Sequence, residues 1–381
     1  MKQGQRDHSW DAMRAFLMIL GIPYHIALSY RPGQDWIVRS GEGLPIFTYL
    51  AEFIHLFRMP AFFVIAGYFA ALLLARRDPV AWLQGRVQRL VPPALACLIL
   101  LVPLMNLVCE LSNLALPEAL SSWAHNSAVS GGYWVRHLWF IVVLLYCSAA
   151  LALVAWWRPA LRTAMLRPTT DRWLARYHVA VLFGVALLLG AWEAGAVEMF
   201  YIAGLATNLP QQILRIDELI AYAPYFLLGV FLARAPQLMA AFSRFSPEIT
   251  VIGIATAAGS LALLDALSPS LGRFLATFAA LTLTQMLIVV ARRYLSKPIP
   301  LVQRLVAASF VIYLVHMPVV VLLVWLGHYL ALPVAIKAIA ITGLTLLLSY
   351  GIWQHLSRLS VAPLLGALAP PRNGSLRLQP A

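Results

Sequence analysis

The chain has 381 residues, of which 61% are apolar and only 11% charged, with a formal net charge of +13 at pH 7. Soluble proteins are roughly 45–50% apolar and about 25% charged, so a soluble globule, a disordered chain and a disulfide scaffold are all excluded. A polytopic membrane protein is what remains.

A helix crosses about 30 Å of hydrocarbon in about 20 residues. Ten apolar windows meet that length: 12–30, 45–74, 87–109, 137–157, 178–197, 218–233, 247–264, 272–291, 304–326 and 333–357. The sequence therefore predicts an all-α polytopic membrane protein of about ten transmembrane helices. The first window is not expected to be a cleavable signal peptide, because Pro23 and His25 interrupt it and no A-x-A exit follows. No internal repeat is visible and no loop is long enough for a second domain. Residues 1–369 are expected to form one transmembrane domain, and 370–381 a polar, disordered cytoplasmic tail. Cys97, Cys109 and Cys147 all sit in apolar runs without ligand spacing, as ordinary buried thiols do; no metal site is predicted.

Charge sets the expected orientation. With both termini placed in the cytoplasm, the inner side collects 20 Lys and Arg and the outer side 5, together with nine acids. Such a split follows the positive-inside rule, so the basic balance calls for no nucleic-acid partner.

Ionisable groups at membrane depth are costly and mark function by default. The first span supplies Asp11, Arg14 and His25. In an unbroken helix, Arg14 and His25, eleven positions apart, point within ~20° of one direction, with Asp11 on the same stripe. His25 falls in the outer half. The second span reads LAEFIHLFRMPAFFVIAGYF; Glu52 and His55 share a face at the depth of His25, and Arg58 lies one turn deeper. Arg76 and Arg77 close this span, while Arg86 and Arg89 open the third in RVQRLVPP. That i,i+3 arginine pair on a first helical turn is suited to polyphosphate as well as to topology. His137 opens the fourth span in HLWF, beside Trp139. Ser309, Tyr313 and His316 line one stripe of the ninth. Four histidines and a glutamate from different helices at one depth point to proton transfer. The sequence has no P-loop, no HExxH and no nucleophile elbow.

In their order, DAMRAFLMILGIPYH, FFVIAGYF, RVQRLVPP, HLWF and SFVIYLVHMP resemble the signatures of the membrane acyltransferase-3 family across essentially the whole chain. LGIPYHIALSY and FIHLFRMPAFF resemble the branch that succinylates osmoregulated periplasmic glucans. Ala66 stands where many members carry Ser. The resemblance implies a bacterial inner-membrane, multi-pass O-acyltransferase. Such an enzyme takes an acyl group, here succinyl, from cytoplasmic acyl-CoA and places it on a periplasmic glucan hydroxyl. Succinyl-CoA is then a donor substrate and no cofactor is permanently bound; the bilayer, the glucan and glucan-synthesis proteins are the implied partners. The resemblance assigns Arg14, Arg86 and Arg89, with Arg76 beside them, to the donor, and His25 to chemistry as general base, with Asp11 paired to Arg14. His316 or Tyr313 is available to stabilise an oxyanion or pass a proton on, and Glu52 to orient an imidazole. His55, Arg58, His137, Trp139, Tyr313 and Ser309 are available to hold acceptor or acyl group, with Arg58, then Lys337, placed for a succinyl carboxylate. A proton-coupled transporter or flippase is the alternative class.

Overall fold

Proline and short polar caps start the helices. Pro45, Pro79, Pro247, Pro269 and Pro300 each open a helix in its first turn, where a missing N–H breaks no bond. Asp78 accepts from the backbone N–H groups of Val80 and Ala81 at 3.0 Å, and Ser246 and Ser268 cap their helices in the same way. The structure, a computed structural model, describes residues 8–33, 36–38, 40–205 and 209–359. Among the described residues, regular structure is helical, with no strand. The expected tail at 370–381 lies outside them, as do Lys2, Arg6, Asp35, Arg39, Arg372 and Arg377 of the charge count.

Among the described residues nine helices are long and apolar enough to cross a membrane: His8–Tyr30, Pro45–Leu74, Pro79–Leu111, Gly131–Trp157, His178–Ile202, Pro210–Arg234, Pro269–Tyr294, Pro300–Gly327 and Val334–Leu356. A tenth arises only from a bent pair, Pro236–Phe242 and Pro247–Ala262, joined at 66°. The chain is an all-α polytopic membrane protein. The window at 247–264 is thus a 16-residue helix with a kinked neighbour rather than a plain span. The third span starts eight residues before its apolar window, because Asp78 and Pro79 nucleate it. In the connections, Leu116–Val129 and Pro168–Arg176 are helices that no long apolar run announces.

The first span is interrupted at Leu20, between His8–Ile19 and Gly21–Tyr30. Pro23 supplies the reason: it has no N–H for the carbonyl of Ile19, and its ring crowds that carbonyl. Arg14 and His25 consequently stand on two helical pieces of one span.

The second span packs most extensively along the sixth. A Cβ on Gly67 would run into the carbonyl of Phe226, and one on Gly229 into that of Val64. Two glycines facing opposite backbones let the helices touch, the usual route to association where lipid tails are as apolar as leucine. Large apolar side chains face outward, with Leu188 and Ile339 each 74% exposed, as a lipid-facing surface requires.

Candidate functional site

The two pieces of the first span, the second, fourth and sixth spans, Pro300–Gly327, and the loop after the first surround a cavity of about 310 Å³. His25, His55, Arg58, His137, Trp139, Tyr313 and His316, all singled out by the sequence, line it. The break at Leu20 sets the position of Gly21–Tyr30 and hence of His25. His137 sits in the single turn that leads into Trp139–Trp157. His316 lies midway along Pro300–Gly327.

Three imidazoles meet there. The ring of His316 is 5.3 Å from that of His25 and 5.6 Å from that of His137, between centroids. Trp36 stacks on His25 at 5.5 Å and an interplanar angle of 18°, closing the other face of that ring. His137 and the helix Pro300–Gly327 hold each other: Tyr313 Oη donates to the carbonyl of His137 at 2.6 Å, and His137 Nε2 donates to that of Leu314 at 3.1 Å. His25 Nδ1, His137 Nδ1 and His316 Nε2 are buried without a hydrogen-bond partner. Buried polar atoms are nearly always satisfied, so three such nitrogens on residues around one cavity mark it as a functional site.

His55 stands at the edge of this group. Its ring stacks on Tyr24 at 6.0 Å, and Tyr24 Oη lies 3.4 Å from its Nδ1. Arg58 places its guanidinium over the other neighbour of that stack, 4.6 Å from the Tyr24 ring centre.

The charges around the cavity are unequal. Arg58, Arg136 and Arg215 line it, against the carboxylate of Glu218. Arg215 is spent on acids, with Nη2 at 3.0 Å from Asp217 and 2.5 Å from Glu218. Among the described residues, Arg58 and Arg136 have no ion pair. Arg136 instead donates from Nε to Asn106 Oδ1 at 2.8 Å and lies over Tyr133 at 4.6 Å. Two lining guanidinium groups without carboxylate partners suit the cavity to an anionic group.

The only non-glycine residues with positive φ among those described are Arg136, at 43°, and Arg215, at 52°. Both line the cavity. Strained backbone of this kind costs of order 1–3 kcal/mol and collects at functional sites. Asn106, itself buried, secures the first of them by also donating to the carbonyl of Tyr133 at 2.6 Å.

Several expected residues are elsewhere. Glu52 does not line the cavity; its Oε1 accepts from Arg31 Nη1 at 3.4 Å, so it orients no imidazole here. Ser309 is buried and donates back to the carbonyl of Val306 at 2.9 Å. Lys337 is buried against Glu42 at 3.0 Å. Arg14 pairs with Asp11 at 3.4 Å below the break in the first span. Arg86 lies over Trp82 at 5.2 Å with its Nε buried and unpartnered, while Arg89 and Arg76 are exposed. Arg14, Arg86 and Arg89 are near enough to repel one another, a cationic group separate from the cavity lining. Among the described residues no cluster of ligating side chains suits a metal ion.

Sequence reasoning missed Tyr24, Trp36, Arg136, Arg215, Glu218 and Tyr222 of the lining. The run RIDE at 215–218, four residues with three charges at the head of an apolar span, was the available signal; counting it as topology absorbed it.

The chain matches the acyltransferase domain family over residues 7–354. It is 31% identical over 255 residues, 65% of its length, to proteins named glucans biosynthesis protein C from Salmonella heidelberg (strain SL476), Salmonella typhi and Salmonella typhimurium. The match covers 63% of those curated relatives. No solved structure matches the chain.

Proposed function

The chain belongs to the acyltransferase-3 family, and from that premise we propose that it moves an acyl group from cytoplasmic acyl-CoA to a hydroxyl of a periplasmic glucan. The observation that carries this reading is the cavity itself: the His316 ring centre lies 5.3 Å from that of His25 and 5.6 Å from that of His137, beside two guanidinium groups without carboxylate partners. Imidazoles move protons near neutral pH, and acyl transfer to a hydroxyl needs one taken from the nucleophile. The name of the Salmonella relatives supports a glucan as acceptor. The positive-inside count supports cytoplasmic termini and an inner-membrane location.

In this reading CoA phosphates stay with Arg14, Arg86 and Arg89, since phosphates are too costly to bury in hydrocarbon. The pantetheine arm extends towards the cavity. His25 takes the hydroxyl proton as oxygen attacks the thioester carbonyl. Arg58 holds the free carboxylate of a succinyl group. Direct transfer requires no acyl-enzyme, and among the described residues no Ser or Cys with an adjacent base lines the cavity. The test is CoA release by the purified, membrane-inserted protein with and without added glucan. Acceptor-dependent release supports the reading; transport of a glycan without acylation points to a transporter instead.

A further inference from the structure

Backbone carbonyls fix where the proton of His316 sits. Its Nδ1 lies 2.6 Å from the carbonyl oxygen of Tyr313 and 3.2 Å from that of Ile312. A carbonyl only accepts, so Nδ1 carries the hydrogen and Nε2 carries a lone pair. That Nε2 is buried without a partner and packs beside Gly21, where a Cβ would sit 3.2 Å from it and 2.8 Å from Arg58 Nη1. With an unpartnered lone pair on Nε2, neutral His316 has nothing to donate to an oxyanion from that atom. It is built to receive a proton and then release it from the same atom.

Gly21 lies one helical turn before His25, and helical side chains lean towards the N-terminus, so the two imidazoles share a level. Their ring centres are 5.3 Å apart. In the acyl-transfer reading His25 serves the acceptor hydroxyl, which leaves His316 as the neighbouring base able to carry its proton on.

We propose that His316 Nε2 is the catalytic proton donor to the leaving CoA sulfur, supplied with the proton that His25 takes from the acceptor hydroxyl. This rests on the acyl-transfer reading above. The hydroxyl oxygen bonds to the thioester carbonyl carbon and its proton passes to His25, then to His316 Nε2. The C–S bond breaks, its electron pair stays on sulfur, and His316 gives that sulfur the proton. Ester and CoA thiol are the products, and both imidazoles return to neutrality. A bare thiolate left in a low-dielectric cavity is costly, which is why the step needs a placed proton.

The experiment varies the leaving group. Transfer to glucan is measured from succinyl-CoA and from the succinyl thioester of 4-nitrothiophenol, whose acidic thiol departs as the anion. Each variant is compared with wild type on the same donor. His316→Gln should lose about 10²–10⁴-fold with succinyl-CoA and about tenfold less than that with the aryl thioester. His25→Ala should lose equally with both. Should His316→Gln fail to fold or to bind CoA, His316→Asn is read in its place; its amide N–H can keep the bond to the Tyr313 carbonyl while Nε2 is lost, and the same donor-selective loss is expected. Equal losses with the two donors, or none, overturn the role of His316. Absence of glucan-dependent transfer by wild type from either donor instead overturns the acyl-transfer reading, and this proposal with it.

Discussion

Replacing Arg58 by Met separates recognition of the acyl group from chemistry. The Arg58 guanidinium lies 4.6 Å over Tyr24, its Nε is buried without a partner, and among the described residues it has no ion pair. Lys337, the competing cation, is committed to Glu42 at 3.0 Å. A succinyl carboxylate is therefore the natural counter-ion for Arg58. Hydrogen bonds to charged groups contribute about 1.5–3 kcal/mol. At about 1.4 kcal/mol per tenfold, losing one should lower the kcat/KM preference for succinyl-CoA over acetyl-CoA by about 10–150-fold. Methionine keeps an apolar stem of similar reach. The lost cation–π contact, about 0.5–2 kcal/mol, bears on both donors alike and drops out of the ratio. The assay is CoA release with each donor, on purified and properly inserted protein. Equal loss with the two donors refutes the argument and makes Arg58 a packing residue.

Gly67→Ala should destabilise the protein by about 1–3 kcal/mol, because its methyl meets the Phe226 carbonyl and parts the second and sixth spans. An unchanged Tm in detergent would show that the helices are not in backbone contact. Arg86→Ala with Arg89→Ala should raise KM for acyl-CoA and leave kcat nearly intact, since phosphate contacts are similar in ground and transition states. The wild-type KM should rise with salt and the variant's less so; identical salt responses would remove these arginines from donor binding.

The histidines were legible in the sequence because each interrupts an apolar run, and helix depth alone placed His25, His137 and His316 on one level. Their meeting at 5.3 and 5.6 Å spans almost three hundred residues, yet depth was enough to foresee it. Glu52 was misread because helical spacing gives a face, not a partner; Arg31, from the preceding loop, reaches it first. Arg136 and Arg215 were hidden for another reason. An arginine at a span end reads as topology, and the positive φ that each adopts leaves no mark in composition or spacing. Trp36 comes from a loop with no periodicity at all. The break at Leu20 was written in Pro23, but a window average smooths over a single lost hydrogen bond.

The most direct test of the account follows glucan-dependent CoA release by reconstituted wild-type protein and by His25→Ala, with CoA binding measured on both and the glucans weighed by mass spectrometry. Wild type should release CoA only when glucan is present, and the glucan should gain the mass of the acyl group. His25→Ala should bind CoA as wild type does while turnover falls by about 10²–10⁴-fold. Near-normal turnover in His25→Ala, or a glucan of unchanged mass with wild type, would contradict it.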